Sequence, residues 1–289
     1  MKNVPAAPQL RLVGFTFHLS EEEAASGKEW THTQRVAKLA KAGFHAVAPW
    51  PDEEMAALAA KHGMETLRYV DANEKTWKEM LDLAKRVKSA RVNVQLCDHD
   101  TLPKDAVKVW LKCVKYAKQI GLEIDLEIHR DTATETPEKC WEIARLFKKA
   151  TGEKIRFCFD FSHLAVVKHL SPPYAARLLD HPDLIRIARQ FHFRPFNGHH
   201  CQIPVLDAKG KPTPEFEDYL QFMDDLLACW FTGAKGGEVL YICPEVLPKG
   251  GYGISTFGPM WADTLYMKNE TERLWKKHVR KWRAKTSAR

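Results

Sequence analysis

Residues 155–164 read IRFCFDFSHL. The first part has the pattern of a buried strand. Phe157, Phe159 and Phe161 recur with period two and share one face, while Arg156, Cys158 and Asp160 share the other. The strand ends on an acid, and His163 follows three residues later. A buried acid is costly without a partner. Such a residue is expected where strands end at a common mouth, as in a parallel α/β barrel.

The same strand grammar recurs along the chain. Short apolar runs fall at 11–17, 45–50, 65–70, 92–97, 123–129, 155–161, 190–194 and 238–245. Amphipathic stretches with apolar residues at three- and four-residue spacing lie between them, for example 33–43, 75–90 and 105–121. Gly43, Gly63, Gly121 and Gly152 stand where helices should stop. Eight strands alternating with helices predict a single (β/α)8 barrel over 1–289. The barrel proper covers about 11–270, and a basic helical extension occupies 271–289. A doubly wound open sheet is the alternative, but it calls for a glycine-rich phosphate turn after an early strand, and none is present.

Composition narrows the class. The 289 residues suffice for one barrel and a large core. No apolar run reaches membrane-spanning length, and the N-terminal MKNVPAAPQL lacks a signal-peptide core, so a cytoplasmic protein is expected. Seven scattered cysteines without a CxxC pair read as reduced core thiols. The net charge of +7 is misleading, because residues 273–289 contain eight basic residues and no acid; the rest carries −1. That tail reads as a solvated helix that fades at its end, with an anion-binding tail as the alternative.

Strand parity points the polar residues inward. Asp125, Glu127 and His129 share a face, as do Gln190, His192 and Arg194, and Tyr241, Cys243 and Glu245. The face against the helices must be apolar, so the polar faces line the barrel. Glu127, Asp160, His192 and Glu245 then stand at the C-terminal ends of four successive strands. Three carboxylates and an imidazole at one mouth raise each other's burial cost unless a cation joins them. The set suits one divalent ion, Mn²⁺, Mg²⁺ or Co²⁺, with Zn²⁺ also compatible. The competing reading is an interior ion-pair network in which Arg156 and Arg194 neutralise the acids. For Asp125 and Arg156, which lie deeper, a buried pair in the lower barrel is expected.

At this point the chain resembles a known family. LEIHRDT with Glu127, DFSH with Asp160 and His163, FHFRPFNG with His192 and Arg194, and CPEV with Glu245 look like the motifs of the xylose isomerase-like barrels. These include sugar-phosphate isomerases and epimerases, ketose 3-epimerases and hydroxypyruvate isomerases. The resemblance implies that Glu127, Asp160, His192 and Glu245 hold the metal. It also implies that His163 and Arg194 contact substrate oxygens, and that Glu127 and Glu245 are the acid/base pair. The implied activity is isomerisation or epimerisation of a sugar, sugar phosphate or keto acid, by proton transfer through a metal-stabilised enediolate. A lyase or dehydratase on a sugar-derived substrate uses the same chemistry. An abasic-site endonuclease needs further metal ligands that this sequence lacks, so nucleic acid is not an expected partner. Homodimer and homotetramer both remain open.

Other residues end strands or follow them. His18, Trp50, Gln95, His99 and His129 reach the same mouth on this reading. Trp50 is the candidate for stacking on a sugar face, against a packed indole. Gln95 and His129 are further substrate candidates. The insertion 196–216 brings Asn197, His199, His200 and Gln202 near the mouth, with His200 as the substrate candidate and a plain polar loop as the alternative. KGGYGISTFGPMW, residues 249–261, reads as a lid, a phosphate loop or a surface loop.

Overall fold

The computed structural model describes residues 6–287. Eight parallel strands close into a barrel in chain order, with the eighth pairing the first. They are β1 (Gln9–Phe15), β2 (Ala46–Ala48), β3 (Glu65–Ala72), β4 (Arg91–Leu96), β5 (Ile124–Glu127), β6 (Phe157–Asp160), β7 (Gln190–His192) and β8 (Val239–Cys243). Each coincides with one of the apolar runs. The single (β/α)8 barrel is therefore the fold.

The helices are α1 (Ser20–Ala25), α2 (His32–Lys41), α3 (Glu53–Lys61), α4 (Trp77–Arg86), α5 (Pro103–Ile120), α6 (Pro137–Thr151), α7 (Phe161–Val167), α8 (Ala175–Leu178), α9 (Pro182–Ile185), α10 (Pro214–Phe231) and α11 (Met260–Ser287). Local signals set their ends. Thr31, Asp52, Thr136 and Thr213 cap N-termini with their side chains. Proline opens α5, α6 and α10, and Gly121 and Gly152 close α5 and α6 in left-handed conformations. Between β6 and β7 the chain makes three short helices, because Pro172, Pro173 and Pro182 interrupt any longer one.

Two cores follow from strand parity. Phe157, Phe159, Phe191 and Phe193 pack outward against Trp110, Phe216, Phe222 and Trp230 of the helical shell. Each fully buried phenylalanine contributes about 2 to 3 kcal/mol. Inside the barrel, Val13, Phe15, Ala46, Ala48, Leu67, Tyr69, Tyr241 and Cys243 form an apolar cluster from β1, β2, β3 and β8. The polar side chains occupy the other half, from β4 to β7. The ladder sets Asp160 beside His192 and His192 beside Cys243.

Two expectations need correction. Asp125 is buried, but its close partner is Arg91, whose Nη1 lies 3.0 and 3.1 Å from its carboxylate oxygens. Gln190 donates a further bond at 2.9 Å. Arg156 is 40% exposed and its Nε stands 3.5 Å away, so it is a peripheral contact. It starts at the strand's edge, where its long side chain turns to solvent and to Glu123.

The basic tail is also not a solvated extension. Helix α11 runs unbroken through residue 270, and Thr271, Leu274, Trp275 and His278 are buried. His278 stacks on Phe231 and its Nε2 lies 2.7 Å from Asp224, while the Trp282 indole donates to the Ala234 carbonyl at 3.0 Å. An apolar stripe at helical spacing is hidden within the basic run, and its burial outweighs the charge. Arg289 lies outside the described residues. Among the described residues no helix is long and apolar enough to cross a membrane.

Candidate active site

The mouth is assembled from the ends of β5 to β8. Glu127, Asp160 and His192 are the last residues of their strands, and Glu245 follows β8 by two residues on the same inward parity. All four are buried. Ligand atoms of Asp160, His192 and Glu245 lie within 4.8 Å of one another. Glu127 falls outside that tighter group, although its Oε1 is 2.9 Å from Nδ1 of His192. Oε2 of Glu245 is also 2.9 Å from Nδ1.

The hydrogen bonding around these atoms is incomplete. His192 Nδ1, Glu127 Oε2 and Glu245 Oε2 are buried and lack a partner in hydrogen-bond geometry. Buried polar atoms are normally satisfied, and here two carboxylates crowd one imidazole nitrogen while Glu127 Oε2 has no partner at all, a donor set that suits a shared cation. Imidazole and carboxylate are the donors that Zn²⁺, Mn²⁺ and Mg²⁺ take. The residues present therefore fit a divalent ion. Nε2 lies 2.9 Å from the Tyr69 hydroxyl, which would orient the ring if His192 held the ion through Nδ1.

Charge is compensated in part by the chain itself. Arg194, fully buried, donates from Nε to Asp160 at 3.1 Å and from Nη2 to Glu245 at 2.7 Å. Asp160 also caps α7 by accepting the Ser162 N–H at 3.0 Å. Burial pushes the Asp160 carboxyl up, but Arg194 and His163 together pull it far below the usual carboxylate range. Burial likewise works against ionised Glu245, and the charges of Arg194 and His192 hold it down at about 2. Glu127 is lowered too, with His192 overcoming its burial. For His192, burial disfavours the imidazolium, yet the surrounding groups, Glu245 and Glu127 among them, raise its pKa well above the usual value.

The other candidates divide. His163 is not on a loop but in the first turn of α7, buried, with Nε2 3.3 Å from Asp160. Its ring centroid is 4.5 Å from that of half-buried His129. Burial lowers the His163 pKa, against the pull of Asp160. Gln95 is the penultimate residue of β4, on the inward parity, and is half-buried. Trp50 is 65% exposed and lines a cleft of about 560 Å³ with Phe17, Ser20, Lys28 and Arg35, apart from the four acids and bases. The packed-indole alternative is therefore excluded. His200 is exposed and held by Asn197, whose Oδ1 accepts its backbone N–H at 2.8 Å. Among the described residues no hydrogen bond, ion pair or ring contact links His200 to Glu127, Asp160, His192 or Glu245. Gln202 is buried and exchanges two bonds with the Leu247 backbone, 3.0 and 2.8 Å, tying the insertion to the loop after β8. His18 is buried beside Phe15, and His99 pairs with Asp131 at the surface.

Sequence reasoning missed three participants. Tyr69 stacks on His192, and Asn93 Nδ2 approaches His192 Nε2 at 3.5 Å. Tyr252, from the loop after β8, lies over the Arg194 guanidinium, 4.1 Å from ring centroid to carbon. Tyr69 and Asn93 both point into the barrel, but their residue types carry no ligand signal in a sequence. For Tyr252 only the glycine-rich loop gave a hint.

No protein-family model matches the chain, and no curated protein matches it. Solved structures do. A D-tagatose 3-epimerase-like protein superposes with a TM-score of 0.57 at 14% identity, over 92% of this chain and 99% of that one. A probable 3-DHS dehydratase from Bacillus anthracis gives 0.56 at 13%, over 92% and 98%. A xylose isomerase-like TIM barrel protein from Mycobacterium smegmatis, in complex with magnesium, gives 0.52 at 16%, over 94% and 98%. In fold, this chain is a closed (β/α)8 barrel similar to these structures. At such identities the likeness is one of backbone, and the chemistry has to be argued from the residues.

Proposed function

We propose that the protein is a divalent-metal-dependent carbohydrate isomerase or epimerase that works by proton transfer beside a carbonyl. The observation that carries this reading is the convergence of buried Asp160, His192 and Glu245, whose ligand atoms lie within 4.8 Å of one another at the C-terminal mouth, with Glu127 2.9 Å from His192. Glu127, Asp160, His192 and Glu245 are the residues that would hold the ion. When bound, the ion would act as a Lewis acid, making the hydrogen next to a carbonyl more acidic.

The chain's own groups do the rest. Glu127 and Glu245 approach His192 from different strands, so a substrate between them meets a carboxylate on each side. One takes the proton, and the other supplies one to the opposite face or the neighbouring carbon. The first outcome inverts a centre; the second moves the carbonyl. Arg194 and His163 stand beside Asp160, where each would stabilise negative charge on a substrate oxygen. Tyr69 and Phe15 exclude water from the His192 side.

The same proton abstraction can expel a β-leaving group. A dehydratase is the second reading, and the similarity to a probable 3-DHS dehydratase favours it. One experiment separates these readings: measure bound metal, then incubate the protein in D₂O with ketoses, hydroxypyruvate and keto-glycosides. Deuterium next to the carbonyl with retained carbon skeleton and oxygen count supports the isomerase or epimerase. Loss of water supports the dehydratase. Glu127→Gln and Glu245→Gln should each stop exchange; full exchange in both would sink the assignment.

A further inference from the structure

The covering of the mouth is unusual. Tyr252 is half-buried, with the Arg194 guanidinium carbon 4.1 Å from its ring centroid and that of Arg130 4.6 Å from it. Two cations thus share one aromatic ring. Arg130 has no acidic partner within ion-pair distance among the described residues. Arg194 is 1% exposed, yet its Nη1 donates to nothing, and the Tyr252 hydroxyl is also buried without a partner. A ring face is a weak substitute for an anion, since a guanidinium binds a carboxylate or phosphate oxygen with directed, charge-assisted bonds. A buried hydroxyl left unpaired weakens the seating of the ring further. The ring is carried on a glycine-rich loop, with Gly250, Gly251 and Gly253 beside it and Gly250 at φ +87°.

Charge points the same way. A divalent ion with neutral His192 would, together with Arg194, balance Glu127, Asp160 and Glu245. Arg130 at the rim then has nothing to neutralise it. We propose that Tyr252 is a displaceable plug, and that the substrate carries an oxyanion group, a carboxylate or a phosphate, which takes the ring's place between Arg130 and Nη1 of Arg194. The inference rests on the catalytic reading above and narrows its substrate to anionic carbohydrates. It also gives the loop after β8 a role: the plug leaves when the anion arrives.

Inorganic phosphate is a suitable probe, with erythritol as a neutral control, titrated calorimetrically into the full chain. Phosphate should bind the wild type. Arg130→Gln, an exposed position whose change leaves the fold alone, should weaken it about 10-fold. Tyr252→Ala should tighten it several-fold, because the competitor is gone. Erythritol should not distinguish the three proteins. Unchanged phosphate affinity in Arg130→Gln, or weaker binding in Tyr252→Ala, would overturn the proposal. Metal content measured on the same samples keeps the two readings apart. A chain that holds the ion but shows no dependence on Arg130 loses only this subsite. A chain that binds phosphate through Arg130 yet takes up no divalent ion loses the catalytic reading instead. Comparing glycolate with phosphate then tells a carboxylate site from a phosphate site.

Discussion

The hydroxyl of Tyr69 lies 2.9 Å from Nε2 of His192, and the two rings stack with centroids 5.2 Å apart and planes 12° from parallel. The contact joins β3 to β7 across the barrel. It orients the imidazole so that Nδ1 faces Glu127 and Glu245. Partners of this kind typically matter 10- to 100-fold in metal affinity. Tyr69→Phe should therefore bind Mn²⁺ or Co²⁺ about 10-fold more weakly, with unchanged stoichiometry. Calorimetric titration of metal checks this, and undiminished affinity would remove Tyr69 from the site.

Arg194 is the chain's own counter-charge for Asp160 and Glu245. Removing one side of a buried ion pair leaves the other uncompensated, at about 3 to 5 kcal/mol. Arg194→Met should destabilise the metal-free protein by about that amount in urea denaturation. Added Mn²⁺ should restore more stability to the variant than to the wild type, because the ion compensates the same carboxylates. Equal metal effects in both would show that the ion and Arg194 do not share them.

Gly198 tests the insertion. A Cβ there would lie 1.9 Å from the backbone oxygen of Leu170. The loop after β7 is thus pressed against the segment between α7 and α8, with no flexible side chain to give way. Gly198→Ala should cost about 1 to 3 kcal/mol, the range for overpacked sites, in a thermal melt. A neutral result would mean that the two segments separate readily.

Asp263 should make stability depend on pH away from the active site. Its carboxylate accepts the Val205 and Leu206 N–H groups, each at 3.2 Å. Burial nevertheless pushes its pKa from 3.8 up to about 6. The folded state keeps the proton between about pH 4 and pH 6, where the unfolded chain has released it. The contribution of Asp263 is therefore most favourable below pH 4 and falls as pH rises through 6, by about 2 to 3 kcal/mol. Asp263→Asn has no such titration. The stability difference between wild type and variant should shift against the wild type by that amount from pH 4 to pH 7, read by urea denaturation. A difference independent of pH would mean an ordinary carboxyl.

Asp160, the acid at the end of an apolar strand, shows how far a local pattern reaches. Period-two alternation is a property of the extended backbone, so Phe157 and Phe159 had to face one way and Asp160 the other. The same rule put Glu127, His192, Arg194 and Glu245 on the inner face before any tertiary contact was known. It could not tell Arg91 from Arg156 as the partner of Asp125, because the choice depends on which long side chain can turn into the lower barrel. Nor could it see α11's apolar stripe as docked, since eight basic residues masked Leu274, Trp275 and Trp282.

The sequence by itself determined the alternation of strands and helices, the closed parallel barrel and the inward set of acids and imidazole. Periodicity, caps and strand ends are local, and each can be read within a few residues. Only the tertiary structure decided that Tyr69 meets His192 across 123 residues of chain, that Arg194 bridges Asp160 and Glu245, that His200 stays at the surface, and that Tyr252 covers the mouth. Those contacts are made where strands and loops distant in sequence converge as the barrel closes. Side-chain length, loop path and charge compensation then select the partners.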